Sequence, residues 1–232
     1  MKQLFFVFLS FVHFVNANEI SQTTISYFEM PDFKVYHQSA KEVNELTQQV
    51  IVLDHFSTDG NKSMHDWVES AKGKNVLLIF PILELKHLQF LNSKQQDSHS
   101  HNFVNQLNKI FNKKYSLKNN LYRIYSNKQF ADLINRYMLQ FIDNDLEKFV
   151  IKNPTNQVFN IKLMNQASEG VIKNYLRTKG SYVSSAMAAD ATSDFLQLVN
   201  FAENKSLAFR WRYQNLNSSR DQSVQEFIFE DL

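Results

Sequence analysis

Two continuous apolar runs flank an amphipathic segment in the first third of the chain. Residues 49–55 (QVIVLDH) and 75–83 (NVLLIFPIL) have the length and composition of strands that are buried on both faces. A capping-box signature, Ser39 with Glu42, predicts a helix before the first run. Apolar residues recur at helical spacing between the runs at Met64, Trp67, Val68 and Ala71. This succession of strands and helices favours a parallel sheet covered by helices.

The middle of the chain carries the clearest helical periodicity. Apolar residues recur there at the spacing of one helix face, at Phe130, Leu133, Ile134, Tyr137, Phe141 and Ile142. We predict helices over residues 84–92 and from Phe103 to Phe111, with a polar loop at 93–102 between them. Residues 121–125 and 158–164 are predicted strands, and residues 168–179 a helix.

The C-terminal part adds a helix and two segments of alternating polarity. The helix covers residues 184–204, and in residues 207–214 apolar side chains alternate with Arg210 and Arg212. Residues 223–230 (SVQEFIFE) are the predicted hairpin partner of that strand. The predicted fold class is therefore α/β: a single three-layer domain with a mostly parallel central sheet and a C-terminal antiparallel β-hairpin.

The N-terminal residues have the pattern of an export signal. Lys2 precedes an apolar run at residues 4–15, and small residues end it at Ala17. We expect residues 1–17 to be a cleaved secretory signal peptide, with residues 18–232 forming one domain. The run is too short to span a bilayer, which needs about 20 apolar residues, and no second one follows, so no transmembrane anchor is expected after cleavage. Together with the complete absence of cysteine, this pattern predicts a periplasmic or secreted protein.

Composition excludes several function classes. The net charge of +2, from 25 basic and 23 acidic residues, lacks the basic footprint of nucleic-acid binders, so no nucleic-acid partner is expected. Without cysteine there is no thiolate chemistry or iron–sulfur ligation. The four glycines form neither of the common phosphate-binding motifs, and no GxSxG motif of a serine hydrolase is present.

The main candidate site follows the first buried strand. Asp54, His55 and Asp59 stand where the carboxyl end of that strand is predicted, the usual place for ligands in open α/β sheets. Carboxylate and imidazole groups together suit acid–base catalysis or a divalent metal, and His65 and Asp66 are near enough in sequence to join as ligands. The alternative is that these residues cap a turn and the start of a solvated helix.

Two further sets of residues are candidates for binding. His99 and His101, in the predicted polar loop, are of the type that binds transition metals, so a divalent metal is a candidate cofactor and no other is indicated. Arg210, Arg212 and Arg220 could bind a carboxylate or phosphate, or could simply form a solvated basic face that protects a strand edge.

These observations lead to one main functional hypothesis and two alternatives. Because common catalytic motifs are missing, the main hypothesis is an exported protein that acts through protein contacts, as an accessory of a cell-envelope or secretion assembly, with a protein partner. The first alternative is a hydrolase, with or without a metal, centred on Asp54, His55 and Asp59. The second is a small anionic-ligand-binding protein. The sequence leaves the oligomeric state open.

Overall fold

The computed structural model describes residues 20–27, 30–39, 42–54, 61–93, 99–140, 142–154, 161–184, 189–215 and 222–232. The predicted signal peptide, residues 1–17, lies outside these ranges and stays a prediction. None of the described helices is long and apolar enough to cross a membrane.

One eight-stranded sheet with the order β1-β2-β4-β3-β5-β6-β7-β8 forms the centre of the described chain. β1 pairs antiparallel with β2, β2 pairs antiparallel with β4, and every later pairing is parallel. We call the edge where the parallel strands end the carboxyl-end edge, and the edge where they begin the amino-end edge. The strands are β1 Ser21–Tyr27, β2 Met30–Ser39, β3 Gln48–Leu53, β4 Val76–Ile82, β5 Tyr122–Asn127, β6 Leu146–Lys152, β7 Lys179–Ser184 and β8 Trp211–Asn215.

Helices cover both faces of the sheet, which confirms the predicted three layers. One apolar core joins the sheet to α1 and α8, and the other joins it to α2, α3, α4, α6 and α7. Strands β3 and β4 contribute to both cores because their side chains alternate between the two faces and are almost all buried. The helices are α1 Asn61–Ser70, α2 Leu85–Ser93, α3 His99–Tyr115, α4 Gln129–Gln140, α5 Ile161–Gln166, α6 Glu169–Arg177, α7 Ala189–Asn204 and α8 Gln222–Phe229.

The predicted C-terminal hairpin is wrong. Residues 222–229 form α8, and β8 pairs in parallel with β7 instead of with its successor. Val224, Phe227 and Ile228 are buried at helical spacing against the α1 face of the sheet. The segment is only eight residues long, so the same residues also read as an alternating strand.

Other local predictions also differ from the structure. No helix follows Ser39 in residues 42–47, where Asn44 and Thr47 exchange backbone and side-chain hydrogen bonds in a turn. The predicted strand at 158–164 is wrong over its described part, because residues 161–166 form α5. Strands β6 and β7 were not predicted: β6 carries Lys148 and Lys152, and β7 is partly polar.

Two buried cations at the amino-end edge hold the end of α8. Arg123 and Lys148 are 1% and 0% exposed. The Arg123 guanidinium donates to the carbonyl oxygens of Ile228 (2.5 Å) and Glu230 (2.6 Å), and Lys148 Nζ donates to the same Glu230 carbonyl at 2.9 Å. Positive charge at a helix C-terminus is favourable because the last carbonyls carry partial negative charge. We call these two cations and the acceptors they bind the tail cluster.

A second polar group at the same edge is centred on His37 of β2. Its Nε2 lies 3.0 Å from Lys114 Nζ and 3.1 Å from Thr23 Oγ1, and its Nδ1 lies 2.7 Å from the Tyr115 hydroxyl. Because the ammonium can only donate, Nε2 is the acceptor and Nδ1 carries the proton. Burial, and secondarily the Lys114 charge, lowers the pKa of His37 to about 3.

Candidate functional site

The turn between β5 and α4 presents a lysine at the carboxyl-end edge. Strand β5 ends at Asn127 and α4 begins at Gln129, so Lys128 alone connects them. Lys128 has φ 54°, a left-handed conformation that non-glycine residues adopt at a cost. Its backbone N–H donates to the carbonyl of Lys152 at 2.9 Å, and its carbonyl accepts the N–H of Ala131, also at 2.9 Å. The backbone at both ends of the turn is thereby fixed, while the Lys128 side chain is exposed.

Asp54 is held next to this turn. Residue 54 directly follows β3, the neighbour of β5, and Asn127 Nδ2 donates to Asp54 Oδ1 at 3.0 Å. The Asn127 Oδ1 atom is buried and has no hydrogen-bond partner within the described ranges. The carboxylate of Asp54, the amide oxygen of Asn127 and the ammonium of Lys128 therefore belong to the neighbouring ends of β3 and β5.

A second lysine ends the next strand. Lys152 is the last residue of β6, is 9% exposed, and supplies the carbonyl that binds the Lys128 N–H. Asn153 follows it with φ 43°, and its N–H donates to the carbonyl of Val183 at 2.9 Å. The carboxyl ends of β5 and β6 thus carry one lysine each, beside the N-terminus of α4.

The structure places only part of the predicted Asp/His cluster. Asp54 lies at the strand end as expected, whereas His55 and Asp59 fall outside the described residues, so their convergence stays a prediction. His65 and Asp66 are exposed on α1. Within the described ranges, no three histidine or acidic side chains come together to hold a metal.

The loop predicted around His99 and His101 is partly helical. Helix α3 begins at His99, so both residues lie in its first turn, and their side chains are outside the described part of the structure. A metal at these two histidines therefore stays a prediction.

The three candidate arginines do not form one described site. Arg212 lies with its guanidinium 3.9 Å from the centre of the Phe227 ring, on the α8 face, and its Nε lies 3.3 Å from Ser181 Oγ. Arg210 is exposed and precedes β8, with its backbone N–H bonded to the Leu176 carbonyl. Arg220 lies outside the described residues.

Comparison with known proteins identifies the fold. No protein-family model and no curated protein match the sequence. Among solved structures, poly(aspartic acid) hydrolase-1 from Sphingomonas sp. KT-1 superposes with a TM-score of 0.70 at 11% identity, over 91% of this chain and 98% of that one. The poly(3-hydroxybutyrate) depolymerase LpqC from Bordetella parapertussis gives 0.70 at 10% identity, over 90% and 87%. The S-formylglutathione hydrolase FrmB from Staphylococcus aureus gives 0.57 at 10% identity, over 92% and 95%.

These structural neighbours are α/β-hydrolase-fold proteins, and this chain has the same fold. Their names fit the hydrolase alternative better than the hypothesis of a protein that acts through protein contacts. The predicted hairpin is also absent from residues 222–229, which form α8.

The β5–α4 turn can be compared with the turn that carries the nucleophile in α/β hydrolases. In α/β hydrolases the serine nucleophile stands on a sharp, strained turn from a strand into a helix, and the triad follows in the chain order Ser, Asp or Glu, His. The β5–α4 turn has this geometry, with Lys128 at the strained position. The last histidine in the sequence is His101, so no histidine follows Lys128. At the β5–α4 turn the chain therefore has neither a serine at the strained position nor a histidine later in the sequence.

Sequence reasoning did not single out Lys128, because the residue type gives no signal. The order strand, turn and helix is visible in the sequence from residue 121 to residue 142, and Ser126 with Gln129 repeats the capping-box signature, which would make Ser126 a helix cap. In the structure Ser126 is a buried strand residue whose hydroxyl donates to the Val150 carbonyl at 2.7 Å.

Proposed function

We propose that this protein binds a small carboxylate-bearing molecule at the carboxyl-end edge of its sheet, and that Lys128 stands there as a cation in place of a nucleophile. The observation that carries this proposal is the exposed lysine at the strained position of the β5–α4 turn. The fold is one that holds acyl compounds at this turn, which supports the choice of a carboxylate over other anions.

The charges around the turn favour an anion. Lys152 is the last residue of β6, Lys128 directly follows the neighbouring β5, and α4 points its N-terminus, the positive end of its dipole, to the same place. Two carboxylates oppose them. Asp54 accepts a hydrogen bond from Asn127, and Asp132 in the first turn of α4 interacts with Arg136 one turn later. Lys128 is exposed beside this positive helix end and is the cation that a ligand can reach.

A nucleophilic role for this turn is not supported by the residue present. An ammonium has no lone pair with which to attack an ester, and the fold's usual base would follow it in sequence. In the same position the ammonium donates charge-assisted hydrogen bonds to a carboxylate, which are about twice as strong as neutral ones. The chemistry therefore favours binding over cleavage.

The test compares an acid with its neutral ester. Calorimetric titration with 3-hydroxybutyrate and with methyl 3-hydroxybutyrate should show preference for the acid. Lys128→Met should weaken the acid's affinity about tenfold, as expected for loss of one charge-assisted hydrogen bond of ~1.4 kcal/mol. Lys118→Met, at an exposed lysine paired with Glu45, is the matched control. Equal affinity for acid and ester, or an unchanged Kd for Lys128→Met, would overturn the proposal.

Hydrolysis is the second candidate function, and the fixed position of Asp54 favours it. A carboxylate held at a strand end and followed directly by a histidine has the composition of an acid–base pair that activates water. The same methyl ester tests this: release of 3-hydroxybutyrate that Asp54→Asn and His55→Ala abolish, and Lys128→Met does not, would promote hydrolysis to first place. An ester that stays intact with saturating enzyme would exclude it for this substrate.

A further inference from the structure

Strand β1 ends the sheet on one side, and the side of its backbone that faces away from β2 has no strand beside it within the described ranges. It lies four positions from β5 in the sheet, so it is remote from Lys128. The N–H and C=O groups of successive strand residues point alternately to the two sides, so alternate residues of Ser21–Tyr27 direct theirs away from β2. We call this the open side of β1. Such a row of backbone groups is a template on which another strand can pair.

Strand β1 lacks most of the features that protect the outermost strand of a sheet. Charged residues and proline block pairing at such strands, and β1 (SQTTISY) contains neither, whereas β8 at the opposite end of the sheet contains Arg212. A β-bulge is a third such feature, and the register of β1 against β2 shifts between Ile25 and Tyr27. Residues 21–25 pair regularly with β2, so this part of the open side can accept a second strand.

The inner contacts of β1 hold it in an extended conformation without a partner. Ile25 is 5% exposed and belongs to the core that α2 and α3 cover. The Thr23 hydroxyl accepts a hydrogen bond from Lys114 Nζ at 2.7 Å and lies 3.1 Å from His37 Nε2. A strand that is already ordered loses little conformational entropy when another strand pairs with it, which favours association.

The side chains of β1 indicate what kind of strand fits. Gln22, Thr24 and Ser26 are exposed on one face, and none of the seven residues of the strand is charged. A neutral strand has no charge with which to select an acidic or a basic peptide, but it pairs with its own copy without repulsion between like charges. Its threonine and isoleucine residues have high strand propensity. These properties favour a second copy of the same strand as the partner.

We propose that two copies of this protein associate by antiparallel pairing of their β1 strands across a two-fold axis at Thr24. The axis places Thr24 opposite Thr24 of the second copy, and Thr23 opposite the second copy's Ile25. Residues that face the α2 and α3 side of one sheet thereby face the same side of the other. The two eight-stranded sheets then form one continuous sheet.

The nearest charges are compatible with this arrangement. Lys34 is exposed on β2 beside Thr24, and it would lie three strand spacings, about 14 Å, from its copy, beyond the screening length of about 10 Å in 0.1 M salt. Lys114 binds Thr23 on the other face. An axis at Thr23 would place the two Thr23 residues and their bound ammonium groups directly opposite each other, whereas the axis at Thr24 separates them along the strands.

The first test is the molecular mass in solution as a function of concentration. Sedimentation velocity of the purified protein from about 1 µM to about 500 µM should show the weight-average mass rising from that of one chain to that of two. Pairing of a single strand buries less area than most stable dimers do, so we expect dissociation in the micromolar range. A protein that stays monomeric throughout would leave the open side to a different strand and overturn the proposal.

Opposite charges at the axis give the selective test. Thr24→Lys and Thr24→Glu each place like charges directly opposite in the symmetric dimer, so each should weaken association at least tenfold. An equimolar mixture of the two variants sets lysine against glutamate and should associate at least as tightly as the unmodified protein. Because Thr24 is exposed, neither substitution disturbs the core, and association of the mixture shows that both variants are folded.

Asn204→Lys is the matched control, because it adds the same charge at an exposed position of α7. Its dimer should dissociate at the same concentration as that of the unmodified protein. Association that survives Thr24→Lys, or that Asn204→Lys weakens equally, would overturn the proposal. So would a mixture of the two Thr24 variants that stays monomeric although each variant unfolds at the same urea concentration as the unmodified protein.

Discussion

The two ends of strands β5 and β6 use the same residue types for different purposes. At the amino-end edge, Arg123 and Lys148 are buried and bind carbonyls and carboxylates at the end of α8. At the carboxyl-end edge, Lys128 is exposed on a strained turn. The difference shows that the surroundings of a basic residue, and not its type, separate a structural cation from one available to a ligand.

The largest expected effect comes from removing a buried cation at the amino-end edge. Lys148→Met leaves the Glu230 carbonyl with one donor fewer and the Phe227 carbonyl without this contact, and it releases the two carboxylates that Lys148 binds. We expect the free energy of unfolding to fall by about 3 kcal/mol, measured by urea denaturation.

Lys179→Met is the matched control for Lys148→Met. Lys179 binds the same Asp231 carboxylate at the same 3.2 Å, but its side chain is 44% exposed, so its loss should cost less than about 1 kcal/mol. Equal losses in the two variants would show that burial does not distinguish the two lysines, and the comparison between the edges would fail.

The next effect concerns the close contact between β7 and β8. A Cβ added at Gly180 would lie 2.6 Å from Cδ2 of the Trp211 ring, which is itself packed against Tyr175 and Phe149. Gly180→Ala should therefore lower the stability by about 2 kcal/mol, read from the shift of the urea midpoint.

Gly170→Ala is the contrasting substitution. Its Cβ would meet only the far end of the Ile142 side chain, at 3.3 Å, within helix α6. Because alanine favours helix more than glycine does, we expect no loss and up to about 1 kcal/mol of gain. For the first variant, a Gly180→Ala protein with a higher free energy of unfolding than the unmodified protein would mean that Trp211 packs less closely on β7 than described.

The contrast between the edges also explains what the sequence could and could not predict. The strands β3 and β4 and the helix α4 can be predicted from the sequence, because continuous apolar runs and a helical apolar periodicity are local patterns. Strand β6 (LEKFVIK) was not, because Lys148 is buried only by acceptors supplied about 80 residues later, by Phe227 and Glu230. The position of Lys128 depends on the turn geometry, which a sequence lacking GxSxG does not reveal.

His37, whose two ring nitrogens both have hydrogen-bond partners, is expected to make the free energy of unfolding depend on pH by about 1 kcal/mol. Its pKa is near 3 in the folded protein and 6.5 in the unfolded chain. Between these values the unfolded state binds the proton and the folded state does not, so stability is full above pH 6.5 and falls as the pH decreases toward 3. From pH 7 to pH 5.5 the loss should be about 1 kcal/mol.

His37→Gln should remove this part of the pH dependence. Glutamine retains hydrogen-bonding groups for Lys114 and Tyr115 but does not titrate, so urea denaturation of the variant should give the smaller difference between pH 7 and pH 5.5. His65→Gln, at an exposed histidine of α1, is the matched control. The same slope in His37→Gln and the unmodified protein would contradict the assignment.

The smallest expected effect on stability concerns Lys128 at the carboxyl-end edge. Glycine adopts φ 54° without the roughly 1 kcal/mol penalty of a side chain, but it loses more backbone entropy on folding. Lys128→Gly should therefore stabilise the fold by about 0.5 kcal/mol while weakening carboxylate binding, whereas Lys128→Met should weaken binding with no gain in stability. Such opposite effects are expected where a strained position is kept for its side chain. A Lys128→Gly variant that is less stable than the unmodified protein would show that the lysine contributes to the fold, as Arg123 and Lys148 do at the amino-end edge.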